Sequence, residues 1–177
     1  MSKQKRITHN DIALLISAHK SKVNVYERLK IGVVSTGNEV KNINDQLNNA
    51  KGEIYDSNRP MIMNFLETYN ITDLGIIDDT HGEQKLKNIL HTGEYDVLIT
   101  SGGVSMGSKD FVKPLLKDMG KVFIEKTNMK PGKPFVFAKV YKTYVFGLPG
   151  NPVSSMVSLQ MFVTPTLQRL EGLNWQK

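Results

Sequence analysis

The sequence predicts an α/β protein, a three-layer α/β/α sandwich around a mostly parallel, mixed sheet. Three observations carry this. Short runs such as LKIGVV (residues 29–34) and DVLIT (96–100) have the continuous apolar character of strands buried on both faces. Segments with helical apolar spacing lie between such runs, the alternation that builds parallel βαβ units. The last two strand runs are joined by a short polar link, residues 139–143, which places one antiparallel hairpin in the sheet. The chain has 177 residues, and residues 1–177 are expected to form one domain around one sheet.

Taken in order, residues 10–19 read as a short amphipathic helix, capped by Asn10 with Asp11 behind it and carrying Ile12, Leu14, Leu15 and Ile16. Residues 23–26 read as a strand and 29–34 as a stronger one. The polar, asparagine-rich stretch NINDQLNNAK (42–51) reads as an exposed loop. A helix is expected over 59–69, with Ile62, Phe65, Leu66 and Tyr69 on one face. Next come a strand over 74–77, a helix over 83–90 with Leu86, Ile89 and Leu90 apolar, and a strand over 96–100. A helix over 109–118 follows, then strands over 122–124, 135–140 and 144–146. The last helix begins near Pro152 and carries Val153, Met156, Val157, Leu159, Met161 and Phe162; Pro165 is expected to bend it or to sit at a frayed turn.

Composition narrows the function classes. With 23 Lys+Arg against 17 Asp+Glu the formal charge is +6, which favours an anionic partner. The lysines are spread along the chain and aromatics make up only 8%, so no nucleic-acid face is expected. The absence of cysteine excludes disulfides, thiolate zinc sites and a cysteine nucleophile. No apolar run approaches the roughly 18 residues that span a bilayer, and no apolar signal core follows the basic N-terminus, so the expected compartment is the cytoplasm, without membrane contact. His9, His19, His81 and His91 lack metal-ligand spacing.

Four loops leave strand ends with glycine, proline, hydroxyls or charge, and in an open α/β sheet ligands bind at the carboxyl ends of the strands. In STGNE (35–39), Gly37 permits a tight turn and Glu39 is a candidate base or metal ligand, or a solvated turn residue. In TSGGVSMGSKD (100–110), Gly102, Gly103 and Gly107 let amides point inward before a helix, forming an anion cradle. Asp110 beside that cradle suits a bridging cation, or else sits in the first helical turn and favours the dipole. The lysines of KTNMKPGKP (126–134) surround a stiff Pro131-Gly132 turn. In GLPGNPVSS (147–155), Asn151 is a helix cap and Pro152 takes the first helical position. The residues by themselves indicate a composite, cation-assisted anion or phosphate site.

In the order STGNE, YDSN, ITSGGVSMGSKD, MKPGKP and GLPGNPVSS, these stretches resemble the molybdenum insertase family of bacterial MoeA, the gephyrin E domain and the plant insertase. The likeness runs from ITHNDIALL to LQRLEG. It implies the molybdopterin-binding domain fold and a late role in molybdenum cofactor biosynthesis. Adenylated molybdopterin would be bound, molybdate inserted into its dithiolene, and the adenylate hydrolysed with Mg2+. By motif position it implies catalytic roles for Glu39, Asp79, Asp110, Lys126 and Lys130, with Asp79 and Asp110 holding the metal and Asp78 a close competitor of Asp79. The turns contribute Thr36, Gly37, Ser101, Gly102, Gly103, Gly150, Asn151 and Pro152. Lys133 joins the basic set, Pro134 and Ser154 resemble molybdate-site positions, and Ser105 belongs to a second oxyanion contact. Asp56, Ser57 and Asn58 resemble the segment that opens a helix near the pterin. Asn38 departs from the aspartate of many members and takes no metal role.

Only the central domain of the family is matched; its usual N-terminal domains and C-terminal β domain have no counterpart here. Members complete their active site across a dimer and related adenylyltransferases are trimers, so a homodimer or trimer is implied, and turnover is expected to need the family's other regions. Two other readings stand beside the insertase. One is a molybdopterin adenylyltransferase of the MogA type, whose glycine loop tends to read TGGTG where this chain has SGGVSMG. The other is a pterin-binding scaffold without catalysis.

Overall fold

The computed structural model describes residues 5–104 and 110–173. The first helix, α1 (His9–Ser17), is capped by Thr8 rather than Asn10. The Thr8 hydroxyl accepts from the Asp11 amide at 3.3 Å, and the Asp11 carboxylate accepts from the Thr8 amide at 2.8 Å, a reciprocal box that starts the helix earlier than Asn10 could. Residues 23–26 form no strand; Val25 and Tyr26 are about two-thirds exposed, and extended backbone without a paired neighbour gains no ladder.

β1 (Lys30–Thr36) is buried along its whole length after Lys30. Two very short strands, β2 (Val40–Lys41) and β3 (Ile54–Tyr55), pair in parallel and bracket the asparagine-rich loop. α2 (Asn58–Phe65) ends four residues before Tyr69, because the Tyr69 amide turns back onto the Leu66 carbonyl and the chain enters β4 (Asn70–Ile77). α3 (Gly82–Thr92) stops at left-handed Gly93. β5 (Val97–Ser101) precedes the glycine loop, and α4 (Val112–Met119) follows it. Helix α4 begins at Val112, not at Lys109, so Asp110 precedes the helix instead of sitting in its first turn.

The strands β6 (Lys121–Ile124), β7 (Val136–Val140) and β8 (Thr143–Leu148) lead to α5 (Pro152–Ser158). As expected, Asn151 caps α5, its Oδ1 accepting from the Ser154 amide at 3.1 Å, with Pro152 in the first turn. Pro165 does not sit at a frayed turn. A π-turn (Leu159–Val163) carries α5 into α6 (Thr164–Leu170), with Pro165 at the start of that last segment. Proline has no N–H to donate and its ring crowds the carbonyl four residues back, and the wider turn makes room. The Thr164 hydroxyl donates to the Leu159 carbonyl at 3.1 Å within it.

The six longer strands form one sheet in the order β4–β1–β5–β8–β7–β6, and β2–β3 form a separate pair. β4, β1, β5 and β8 are parallel; β7 and β6 alternate in direction beyond them. Side chains alternate between faces. Ile31, Val33, Val97, Ile99, Phe146 and Leu148 pack with Ile62 of α2, with Leu66 just past its end, and with Leu159, Val163 and Leu167. Val34, Leu98, Val145 and Ala138 pack with Leu86 and Leu90 of α3 and with Val112, Leu115 and Leu116 of α4. The result is the expected three-layer sandwich. Each fully buried aliphatic side chain contributes roughly 1.5–3 kcal/mol over its exposed state, and the two apolar layers fix the sheet from both sides.

This topology decides where the loops open. β1, β5 and β8 lie side by side and point the same way, so the turns after Thr36, Ser101 and Leu148 share an edge. Val136 at the start of β7 pairs with Gly147 near the end of β8, so the lysine turn between β6 and β7 opens there too. The chain leaves β1 towards β4 on one side and towards β5 on the other, and that reversal sets a crevice between the carboxyl ends of β1 and β5.

Candidate functional site

Hydrogen bonds knit the loops at this edge. The Thr36 hydroxyl donates to the Ser101 carbonyl at 3.3 Å, and the Gly102 amide donates to the Leu148 carbonyl at 3.0 Å. Asn58, at the start of α2, donates from Nδ2 to Ser101 Oγ at 2.8 Å and to the Gly150 carbonyl at 2.7 Å. Gly102 and Gly103 have φ of +88° and +67°, left-handed values that side chains resist, and a Cβ on Gly103 would stand 2.8 Å from both Thr36 Oγ1 and Val112 Cγ2. Gly102 and Gly103 therefore pack tightly against the β1 turn. Ser105, with Met106, Gly107, Ser108 and Lys109, lies outside the described residues.

The acidic side is more selective than the sequence indicated. Asp79 and Asp110 line one cleft of about 550 Å³, together with Glu83, Asp118 and the apolar floor of Phe111, Pro114 and Leu115. Asp78 is engaged elsewhere. Its Oδ1 accepts from the amides of Thr80 at 2.9 Å and His81 at 2.8 Å, and Oδ2 faces Lys85 at 3.4 Å. The His81 amide, aided by Lys85, holds the Asp78 carboxyl at about 2, below its ordinary 3.8. Asn38 Oδ1 accepts from the Asp79 amide at 2.9 Å, so the neutral side chain in the β1 turn positions the Asp79 backbone. Glu39 does not line this cleft; it is exposed and its carboxylate curls beside Gly37, within 3.0 Å of where a Cβ there would stand. Among the described residues no three His, Cys, Asp or Glu side chains converge as a metal cage.

On the other side, Lys126, Lys130 and Lys133 are exposed on a turn closed by Thr127. Its amide donates to the Lys133 carbonyl at 3.1 Å and its hydroxyl to the Gly132 carbonyl at 2.8 Å. Pro134 is half-buried. A Cβ on Gly132 would lie 3.3 Å from Ser158 Oγ, so the lysine turn rests on α5. Ser154 is 9% exposed and, besides its backbone bond to the Asn151 cap, its hydroxyl lies 3.3 Å from Asn151 Oδ1. Gly37 is buried beneath the β1 turn, whereas Ser57, Gly150, Asn151 and Pro152 are exposed on the rim.

Sequence reasoning missed Arg59. Arg59 is 8% exposed, and its guanidinium holds Asp56 Oδ2 at 2.8 Å, the Asp73 carboxylate, and Asn42 Oδ1 at 2.8 Å. Asp56 of the YDSN stretch is thus tied up by its neighbour in sequence. The partners Asn42 and Asp73 lie far along the chain, and no local pattern signals them. Four buried oxygens have no partner among the described residues: Ser35 Oγ, Asn58 Oδ1, Thr100 Oγ1 and Ser155 Oγ. Ser35, Thr100 and Ser155 lie at the strand ends or helix start of the same edge, and an unmet buried polar atom costs about 1–3 kcal/mol.

The structure is thus a doubly wound α/β domain whose carboxyl edge carries a glycine crevice, a lysine turn and carboxylates. The chain belongs to the family described as "Probable molybdopterin binding domain", whose model matches residues 32–169. It is 39% identical over 175 residues to a molybdopterin molybdenumtransferase of Haemophilus influenzae, covering 97% of this chain and 43% of that protein. It is 36% identical over 205 residues to a gephyrin of Dictyostelium discoideum, covering 97% and 28%. The fold matches the crystal structure of a molybdopterin biosynthesis moeA protein from Pyrococcus horikosii with a TM-score of 0.77 at 29% identity, over 97% of this chain and 43% of that one. A MogA structure, at 16% identity and a TM-score of 0.56, shares the fold. The chain spans less than half the length of these curated relatives.

Proposed function

We propose that this chain is a pterin-nucleotide-binding domain of molybdenum cofactor biosynthesis. It binds adenylated molybdopterin and takes part in molybdate insertion with hydrolysis of the adenylate, in the cytoplasm and within a homodimer or trimer. The observation that supports this most is the opening of the β1, β5 and β8 turns and the lysine turn on one sheet edge. The family membership and the names of the relatives supply the pterin.

The residues divide the work by charge. Thr36, Gly37, Ser101, Gly102 and Gly103 line the crevice that receives the phosphate, since glycines let an anion come close to the backbone there. Lys126, Lys130 and Lys133, with Pro134 and Ser154 beneath, draw in the oxyanion molybdate. Asp79 and Asp110, facing one cleft, fit a hydrated Mg2+, which takes one or two carboxylates and leaves its other positions to water and phosphate. Bound there, Mg2+ would neutralise phosphate charge. Glu39, free of that cleft, is the carboxylate able to take a proton from attacking water.

Titration of the purified chain with AMP in the presence of MgCl2, and with molybdopterin followed by its pterin fluorescence, tests the reading. Saturable binding of both is expected, and binding of neither at millimolar concentration sinks it. With the remaining regions of the protein present, molybdate should release AMP from the adenylate. Consumption of ATP with molybdopterin instead would make the protein an adenylyltransferase, and binding without either turnover would make it a scaffold.

A further inference from the structure

We infer that Asn58 is a positioning residue that couples the glycine loop to the proline–glycine loop and aims the Ser101 hydroxyl at the ligand. The inference rests on the proposed binding of a nucleotide at this edge. Asn58 reaches Ser101, 43 residues away, and Gly150, 92 residues away, with a single amide nitrogen. The Gly150 carbonyl can only accept, so the carboxamide must present its N–H groups on this side, and the flipped orientation would set two oxygens against each other. Because Nδ2 donates into Ser101 Oγ, the hydroxyl proton of Ser101 is turned away from Asn58 and left to donate. A donor whose direction is fixed beforehand suits an anion better than a freely rotating one.

The cost of this arrangement argues against a purely structural role. Asn58 is 7% exposed, and its Oδ1 is buried without a partner among the described residues. Ser35, the register partner of Ser101 on β1, also has a buried hydroxyl oxygen without one. An apolar side chain would avoid the loss at Oδ1, but it has no N–H groups, and the two on Nδ2 are what bridge the Ser101 hydroxyl and the Gly150 carbonyl. The same atoms that leave Oδ1 unmet therefore hold two ligand turns in register.

The test is a double-mutant cycle read in AMP affinity with MgCl2, on proteins whose melting curves confirm folding. Asn58→Ala and Ser101→Ala are each expected to weaken AMP about tenfold, and the double variant to be no weaker than the weaker single one. Independent losses that multiply in the double variant, or an Asn58→Ala protein with unchanged affinity, overturn the inference while leaving the proposed function in place. A wild-type chain that binds no AMP removes both. If Asn58→Ala fails to fold, amide exchange on the wild-type protein decides. AMP should protect residues 58–61, 101–104 and 148–151 together, and protection confined to 101–104 refutes the coupling.

Discussion

Arg59 is the residue on which the rim is most exposed to damage. It neutralises the buried Asp56 carboxylate and also holds the Asp73 carboxylate and the Asn42 amide oxygen. Burial lowers its affinity for a proton, but the Asp56 and Asp73 carboxylates outweigh that and hold the guanidinium above its ordinary value. Removing the cation leaves Asp56 charged and 9% exposed. Arg59→Met should cost about 3 kcal/mol in urea unfolding, the loss typical of a broken buried ion pair. Arg59→Lys should fall between, since one ammonium cannot serve three partners in a fixed plane. Asp78 carries a pH signature of its own. Its folded value of about 2 lies below the ordinary 3.8, so its contribution is complete above the ordinary value and drains away as pH falls through 2. An NMR titration of the Asp78 carboxyl should give a midpoint near 2; a midpoint at the ordinary value would mean that the turn to Thr80 and His81 is absent in solution.

At the scale of elements, β8 and the glycine loop constrain each other. A Cβ on Gly147 would run into Val104 Cγ1, and Val104 is buried just after Gly103. Gly147→Ala should push the loop off the β1 turn, lowering AMP affinity severalfold more than it lowers the melting temperature would suggest for one added methyl. Strands such as β1 and β5 were legible in the sequence because burial on both faces leaves a nearly continuous run of small and apolar residues. The cap at Asn151 and Pro152 was legible because its chemistry is local. Residues 23–26 misled for the same reason: Val23, Val25 and Tyr26 suit a strand, but no neighbour pairs with them. β2 and β3 are too short to show a period, and residue type alone does not fix the start of α4 at Val112. Site residues followed this division. The glycine and proline turns were visible as motifs, whereas the choice of Asp79 over Asp78 for the cleft depends on backbone donors at Thr80 and His81.

Across the whole molecule the strand order polarises the rim. Asp79 follows β4, Glu39 follows β1 and Asp110 follows β5, while Lys126, Lys130 and Lys133 lie between β6 and β7. Adjacent strands are about 4.8 Å apart, so the order β4–β1–β5–β8–β7–β6 places the acids over the β4–β1–β5 half of one edge and the lysines over the β7–β6 half, with the glycine crevice inside the acidic half. The net charge of +6 attracts an anion to the molecule as a whole, but the local field decides where its charge settles. Opposite halves then predict opposite responses to magnesium. Lys130→Glu should weaken AMP at least fivefold with or without MgCl2 and make binding less sensitive to salt, because an exposed lysine acts through long-range, screened attraction. Asp79→Asn should leave Mg-free AMP binding equal or tighter, since a repelling carboxylate is gone, and should abolish the gain that MgCl2 gives the wild type. If Asp79→Asn retains the full magnesium gain, the acidic half does not recruit the cation, and the division of the rim into a cation half and an anion half is wrong.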